Sequence, residues 1–164
     1  MNNLFNKFYK YSIDTSSLID AYNRYYPPDI MPDLWEKFEE MIKNFELIAI
    51  KQVMDELYGQ DDDLLKWAKT HKEMFISFDE EIQKVVRLIL EELPNSINLG
   101  KEKTNADLWV IALAKIHNIT VITGEKGTGK LKDRKIPDIC KKIHVRCFDL
   151  LGLFREKEWI FHIK

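Results

Sequence analysis

The 164-residue chain is short of cysteine, of long apolar runs and of internal repetition, and each shortage removes a class of protein. Its two cysteines, Cys140 and Cys147, stand six residues apart. That spacing makes neither a disulfide framework nor a zinc site, so reduced, partly buried thiols are expected. The longest unbroken apolar run, Leu108 to Ala114, falls far short of a membrane span, and the opening MNNLFNKFYK has no apolar signal-peptide core. A soluble, cytoplasmic protein without membrane association is expected. No repeat, low-complexity tract or dividing linker is visible. His71, His117, His144 and His162 fall at no spacing that suggests a metal site or a catalytic triad.

What is present suits one packed domain over residues 1–164: 45% of the residues are hydrophobic and 12% aromatic. A chain of this size buries enough apolar surface to offset its conformational entropy. The formal net charge of −2 conceals a division along the chain. Residues 1–100 carry 11 Lys/Arg against 19 Asp/Glu, whereas residues 101–146 carry 11 against 5. An acidic half beside a basic half is compatible with a metal-dependent site next to a polyanion track, although such asymmetry is usually solvated surface.

Periodicity divides the chain into alternating strands and helices. Lys10 to Ile13 reads as a first strand; SSLIDAYNRYY carries Leu18, Ala21, Tyr22 and Tyr25 at helical spacing up to Pro27 and Pro28. DLWEKFEEMIKNF aligns Leu34, Trp35, Phe38, Met41, Ile42 and Phe45 on one face, with Asp33 as the expected cap. ELIAI is a buried strand, followed by a helix from Lys51 to Tyr58 that Gly59 ends. A helix opened by Asp61 to Asp63, a strand in MFISF and an amphipathic helix in DEEIQKVVRLILEEL follow. Asn105 to His117 is apolar almost all round, which predicts a central helix; ITVIT and IHVRCF are strands, and DLLGLF a short helix. This alternation predicts an α/β protein, a three-layer α/β/α sandwich on a central, mainly parallel, twisted sheet. Ligands then sit beyond the carboxyl ends of the strands.

Four carboxylates are candidates for that edge. Asp14 directly follows the first strand, and Thr15, Ser16 and Ser17 offer hydroxyls for capping, which leaves Asp14 free to point across the strand ends. In KQVMDELYG, about 100° of turn per residue puts Glu56 at the boundary of the buried stripe of Val53 and Leu57 and Asp55 opposite it. Asp107 is the only charge before Lys115 in its helix and lies in the first turn after Asn105. Glu125 follows VITG just past a strand. Gathered at one rim, four acids repel one another unless a cation holds them, and an all-oxygen set selects hard ions such as Mg²⁺ or Mn²⁺.

These residues, in this order, resemble the PIN-domain family of metal-dependent nucleases over nearly the whole chain. IDTSSLID matches a first strand ending in Asp and Thr or Ser; VMDEL matches a Glu before Leu on the helix after the second strand. ADLWVIALA matches an Asp opening a helix, and VITGE a strand ending in Thr one residue before an acid. PPDIMPDLWE and KIPDIC are closer to a prokaryotic, toxin-type branch of PIN-like proteins. One departure is Glu125, where many members have Asp.

The resemblance implies a PIN-like fold and an endoribonuclease with Asp14, Glu56, Asp107 and Glu125 as catalytic and metal-binding residues, supported by Thr15 and more weakly by Thr123. Mg²⁺ or Mn²⁺ would activate a water for in-line attack on an RNA phosphodiester. The basic segment, Lys101, Lys103, Lys126, Lys130, Lys132, Arg134 and Lys135, would bind the RNA backbone. The protein would be the toxin of a type II toxin–antitoxin pair, with an antitoxin partner and homodimer formation as in similar proteins. Two other readings use the same residues. VITGEKGTGK has the G-x-x-x-x-G-K spacing of a phosphate-binding P-loop, but Leu131 stands where Ser or Thr would hold Mg²⁺, and LKDRKIPD has poor helical periodicity. The second is a PIN-like module that binds RNA or protein without cutting.

Overall fold

The computed structural model describes residues 8–60, 62–93, 106–130 and 134–162. Five strands form one all-parallel sheet: β1 (Tyr11–Ile13), β2 (Leu47–Ile50), β3 (Phe75–Ile76), β4 (Thr120–Ile122) and β5 (Cys147–Phe148). Their order is β3-β2-β1-β4-β5, with Tyr11 level with Leu47 on one side and with Thr120 on the other. Because the chain first builds outward from β1 to β3 and then returns to the far side of β1, the direction of winding switches between β1 and β4. Loops leaving the carboxyl ends of those two strands diverge and leave a crevice. The strands are unbroken apolar runs because both sheet faces are covered: Leu47, Ile48, Ala49 and Ile50 are each fully buried.

The helices are α1 (Thr15–Asp20), α2 (Pro32–Lys43), α3 (Lys51–Leu57), α4 (Asp62–Thr70), α5 (Glu80–Glu92), α6 (Ala106–His117), α7 (Ile136–Lys142) and α8 (Leu150–Glu156). They flank the sheet in an α/β/α arrangement. The largely apolar α6 runs across its middle against β1, β2 and β4, with α3, α5 and α7 beside it. A helix with Val110 to Ala114 wholly buried must be central, as its composition predicts.

Several local expectations are corrected. Asp33 does not cap α2: Pro32 occupies the first turn after Met31, where its missing N–H costs nothing, and Asp33 sits in that turn. Phe45 lies past the end of α2, at φ +57°, instead of on its face. Tyr25 does not continue the buried stripe of Leu18 and Ala21. The chain after α1 widens into a π-turn, Ala21–Tyr25, in which the Tyr26 N–H donates to the Ala21 carbonyl at 3.0 Å. One extra residue per turn rotates the face, and Tyr25 ends 64% exposed. Asn105, the expected cap of α6, and Asp61, Lys101, Lys103 and Lys132 lie outside the described residues.

Candidate functional site

Asp14 extends the β1 ladder by one bond, its N–H donating to the Ile122 carbonyl at 3.0 Å. The expectation that neighbouring hydroxyls would cap α1 in its place is wrong: Asp14 is itself the cap, with Oδ1 accepting the Ser17 N–H at 2.8 Å. Its other oxygen does point across the strand ends. Oδ2 accepts from Ser16 Oγ at 2.8 Å and from Thr123 Oγ1 at the end of β4. Burial pushes the carboxyl above its usual range, against the pull of Thr123, the Ser17 amide and Ser16.

Glu56 sits half-buried on α3 while Asp55 is exposed, as the helical geometry predicts. Thr15 Oγ1 donates to Glu56 Oε2, which ties α3 to the start of α1. On the other side of Asp14, the Glu125 N–H donates to Thr123 Oγ1 at 3.1 Å. Glu56, Thr15, Asp14, Thr123 and Glu125 therefore form one continuous chain of side-chain and backbone links across the β1/β4 crevice.

Asp107 faces the same crevice from the first turn of α6. Its outer side is exposed, so the helix does not carry it wholly out of water as expected. Even so, burial of the carboxyl group, and then the charges of Glu125, Asp14 and Glu56, push it up to about 7, with Lys135 opposing. Four acids thus share one electrostatic field. Among the described residues of the basic segment, Lys135 is the one whose charge reaches Asp107.

The donors are all carboxylate and hydroxyl oxygens with mutually repelling charges, which is the chemistry of a Mg²⁺ or Mn²⁺ site. Among the described residues, no three His, Cys, Asp or Glu side chains already converge as a metal cage. The residues fit a hard cation in type and charge.

The glycine-lysine loop has an occupant of its own. The N–H groups of Thr128 and Gly129 donate to the Asp138 carboxylate at 2.9 and 3.0 Å, and that of Lys135 at 2.9 Å. A Cβ on Gly127 would stand 2.8 Å from Asp138 Oδ1, and Gly129 has φ +67°. These glycines allow a backbone nest to close on an internal carboxylate instead of a nucleotide phosphate. Desolvation opposes the charged form of Asp138, but the amides of Lys135, Thr128 and Gly129 hold it below the usual carboxylate range. The loop's other anchor is Glu125, whose Oε2 accepts the first α7 amide, Ile136 N, at 3.0 Å. Sequence reasoning missed α7 and Asp138; the pairing of Pro137 with an acid at the third helical position is the signal that marks such a start.

The expected phosphate-binding residues separate into two groups. Lys130 and Arg134 line an open cavity of about 530 Å³ together with Lys141, Lys142 and His144, of which the two lysines were not predicted. Lys126 instead lines a smaller recess beside Ser17 and Gly124. No helix among the described residues is long and apolar enough to cross a membrane.

Comparison with known proteins adds a family and a fold. The family described as "Domain of unknown function (DUF4411)" matches residues 11–161, nearly the whole chain. The chain belongs to this family. No curated protein matches it. Among solved structures, the DUF4411 chain is similar to VapBC2 from Rickettsia felis bound to a DNA fragment from their promoter. The TM-score is 0.51 at 18% identity, covering 85% of this chain and 97% of that one. FitAcB from Neisseria gonorrhoeae gives 0.51 at 18%, covering 84% and 96%. FitAB bound to an IR36 DNA fragment gives 0.52 at 17%, covering 94% and 99%. At such identities the likeness establishes the fold, and this DUF4411 chain has the PIN-like α/β/α fold that its sequence resemblance implied.

Proposed function

We propose that the chain is a Mg²⁺- or Mn²⁺-dependent endoribonuclease of toxin type, acting in the cytoplasm. The observation that carries this reading is the link from Glu56 through Thr15, Asp14 and Thr123 to Glu125 at the β1/β4 switch point, with Asp107 in the same field. A bound divalent ion would supply an activated water and neutralise charge on the leaving oxygen. The chain's own residues do the rest. Asp14, Glu56, Asp107 and Glu125 would hold the ion; Thr15 and Thr123 fix the orientation of Glu56 and Asp14. Lys130, Lys132 and Arg134 would neutralise phosphates of the RNA backbone, joined by Lys141 and Lys142, while Lys126 would meet the RNA from its separate recess.

The neighbours' names describe two-component assemblies on DNA, and an antitoxin-like partner and a homodimer are the assemblies we infer by analogy with them. The test of activity is cleavage of single-stranded and structured RNAs with Mn²⁺ or Mg²⁺ and with EDTA, beside an Asp14→Asn/Asp107→Asn variant. Metal-dependent cleavage that the variant lacks is expected. Binding of RNA without cleavage would favour the non-cutting module instead.

A further inference from the structure

Beside the acid cluster lies a recess of which the reading above uses only Lys126. Its volume is about 290 Å³. Clefts for drug-sized ligands start at roughly 300 Å³, so this one suits a single ring system. Ser17 and Gly124 line it and join it to the acids: Ser17 N–H donates to Asp14 Oδ1 at 2.8 Å, and Gly124 lies between Thr123 and Glu125. Tyr25, Tyr26 and Leu151 give it an apolar, aromatic wall. The π-turn is what turns Tyr25 out of the core to this position, and such one-residue expansions of a helix recur at functional sites.

The charged groups of the recess are two carboxylates and an ammonium: Asp20, Asp149 and Lys126. Asp20 Oδ1 pairs with Arg24 at 3.3 Å, while Oδ2 lies 3.6 Å from the place of a Gly124 Cβ. Asp149 Oδ1 is taken by the Gly152 N–H at 2.9 Å.

We propose that this recess is a base-recognition subsite that takes an unpaired guanine of the RNA next to the scissile phosphate; the proposal rests on the ribonuclease reading. Two carboxylates repel a phosphate, so the recess is not part of the backbone track. They accept hydrogen bonds from a base edge instead. Guanine presents two adjacent donors, N1–H and the N2 amino group, to a single carboxylate, and its O6 and N7 acceptors suit an ammonium such as that of Lys126. Adenine and cytosine each set an amino group beside a ring acceptor that a carboxylate repels, and uracil sets one N–H between two carbonyls. The tyrosine faces add stacking that every base shares.

The test is binding of labelled single-stranded RNA hexamers in EDTA at low salt, each an oligo-uridine with one central guanosine, inosine, adenosine or cytidine. Wild type should hold the guanosine hexamer about tenfold more tightly than the adenosine one, with inosine, which lacks the N2 amino group, in between. Asp20→Asn should erase the preference for guanosine over inosine, and Tyr25→Ala should weaken all four by about tenfold. Ratios between hexamers within one preparation do not depend on its folded fraction. Equal binding of guanosine and adenosine, no binding of any hexamer, or a preference that survives Asp20→Asn overturns the subsite. Metal-dependent cleavage without base preference removes the subsite and leaves the ribonuclease reading standing; guanosine-selective binding without cleavage does the reverse.

Discussion

Replacing Asp107 by Asn should make the metal-free protein more stable while removing the function proposed for it. Raising a carboxyl from 3.8 to about 7 separates its two protonation states by up to about 4 kcal/mol. Asp107 is exposed on its outer side, and water and salt screen such a group, so about half of that is a fair value. The substitution also gives up about 0.5 kcal/mol between the carboxylate and the amino end of α6. A net gain of about 1.5 kcal/mol corresponds to a melting temperature higher by about 3–6 °C for a chain of this size. The sign with pH follows from the folded value lying above the unfolded one. The stability that Asp107 contributes is complete below 3.8 and is lost as pH rises through about 7. The advantage of Asn should therefore be full at pH 8 and fade as pH falls towards 3.8. Thermal melts followed by circular dichroism in EDTA at pH 8, 6 and 4.5 measure it. A variant no more stable than wild type at pH 8, or one with the same advantage at every pH, would refute the argument that like charges strain this site.

The glycine-lysine loop gives two further predictions. Asp138→Ala removes an acceptor of three backbone N–H groups and should cost about 1–3 kcal/mol in thermal or denaturant unfolding, the lower part of that range applying because water reaches the loop. Since the folded carboxyl lies below its usual range, this difference from wild type should hold at neutral pH and shrink as pH falls through the acid range. Gly127→Ala sets a Cβ 2.8 Å from Asp138 Oδ1 and should loosen the same loop, seen as faster amide exchange at Thr128 and Gly129. Lys141→Ser/Lys142→Ser should weaken RNA binding uniformly across sequences and lower the slope of log K against log salt by about 1–2, as expected for two lost phosphate contacts.

The gathering of the four acids at one crevice was legible because each position depends on local pattern. A strand followed by an acid, a helix with one boundary carboxylate and an apolar helix with a single acid are readable within a dozen residues, and the topology then brings them together. The parallel sheet was legible for the same reason: continuous apolar strands alternating with amphipathic helices admit few arrangements. What was hidden depends on contacts between distant segments or on small departures from regular helix. α7 has seven residues and Pro137 in its first turn, so its periodicity is weak, and it is held by Asp138 reaching back to the preceding loop and by Glu125 of that loop accepting the Ile136 N–H. Asp14 as both cap and cross-strand partner required Thr123, which is 109 residues away. The π-turn at Ala21–Tyr25 follows from no propensity of those residues, yet it decides that Tyr25 faces outward.

The account rests on four carboxylates serving one divalent cation, and calorimetric titration with Mn²⁺ tests that most directly. Wild type and the variants Asp14→Asn, Glu56→Gln, Asp107→Asn and Glu125→Gln are compared at pH 7.5. Saturable binding to wild type, weakened at least tenfold by the Asp14 and Asp107 substitutions and by smaller factors in the other two, is the predicted result. Mn²⁺ that fails to bind wild type, or that binds all five proteins alike, would contradict it.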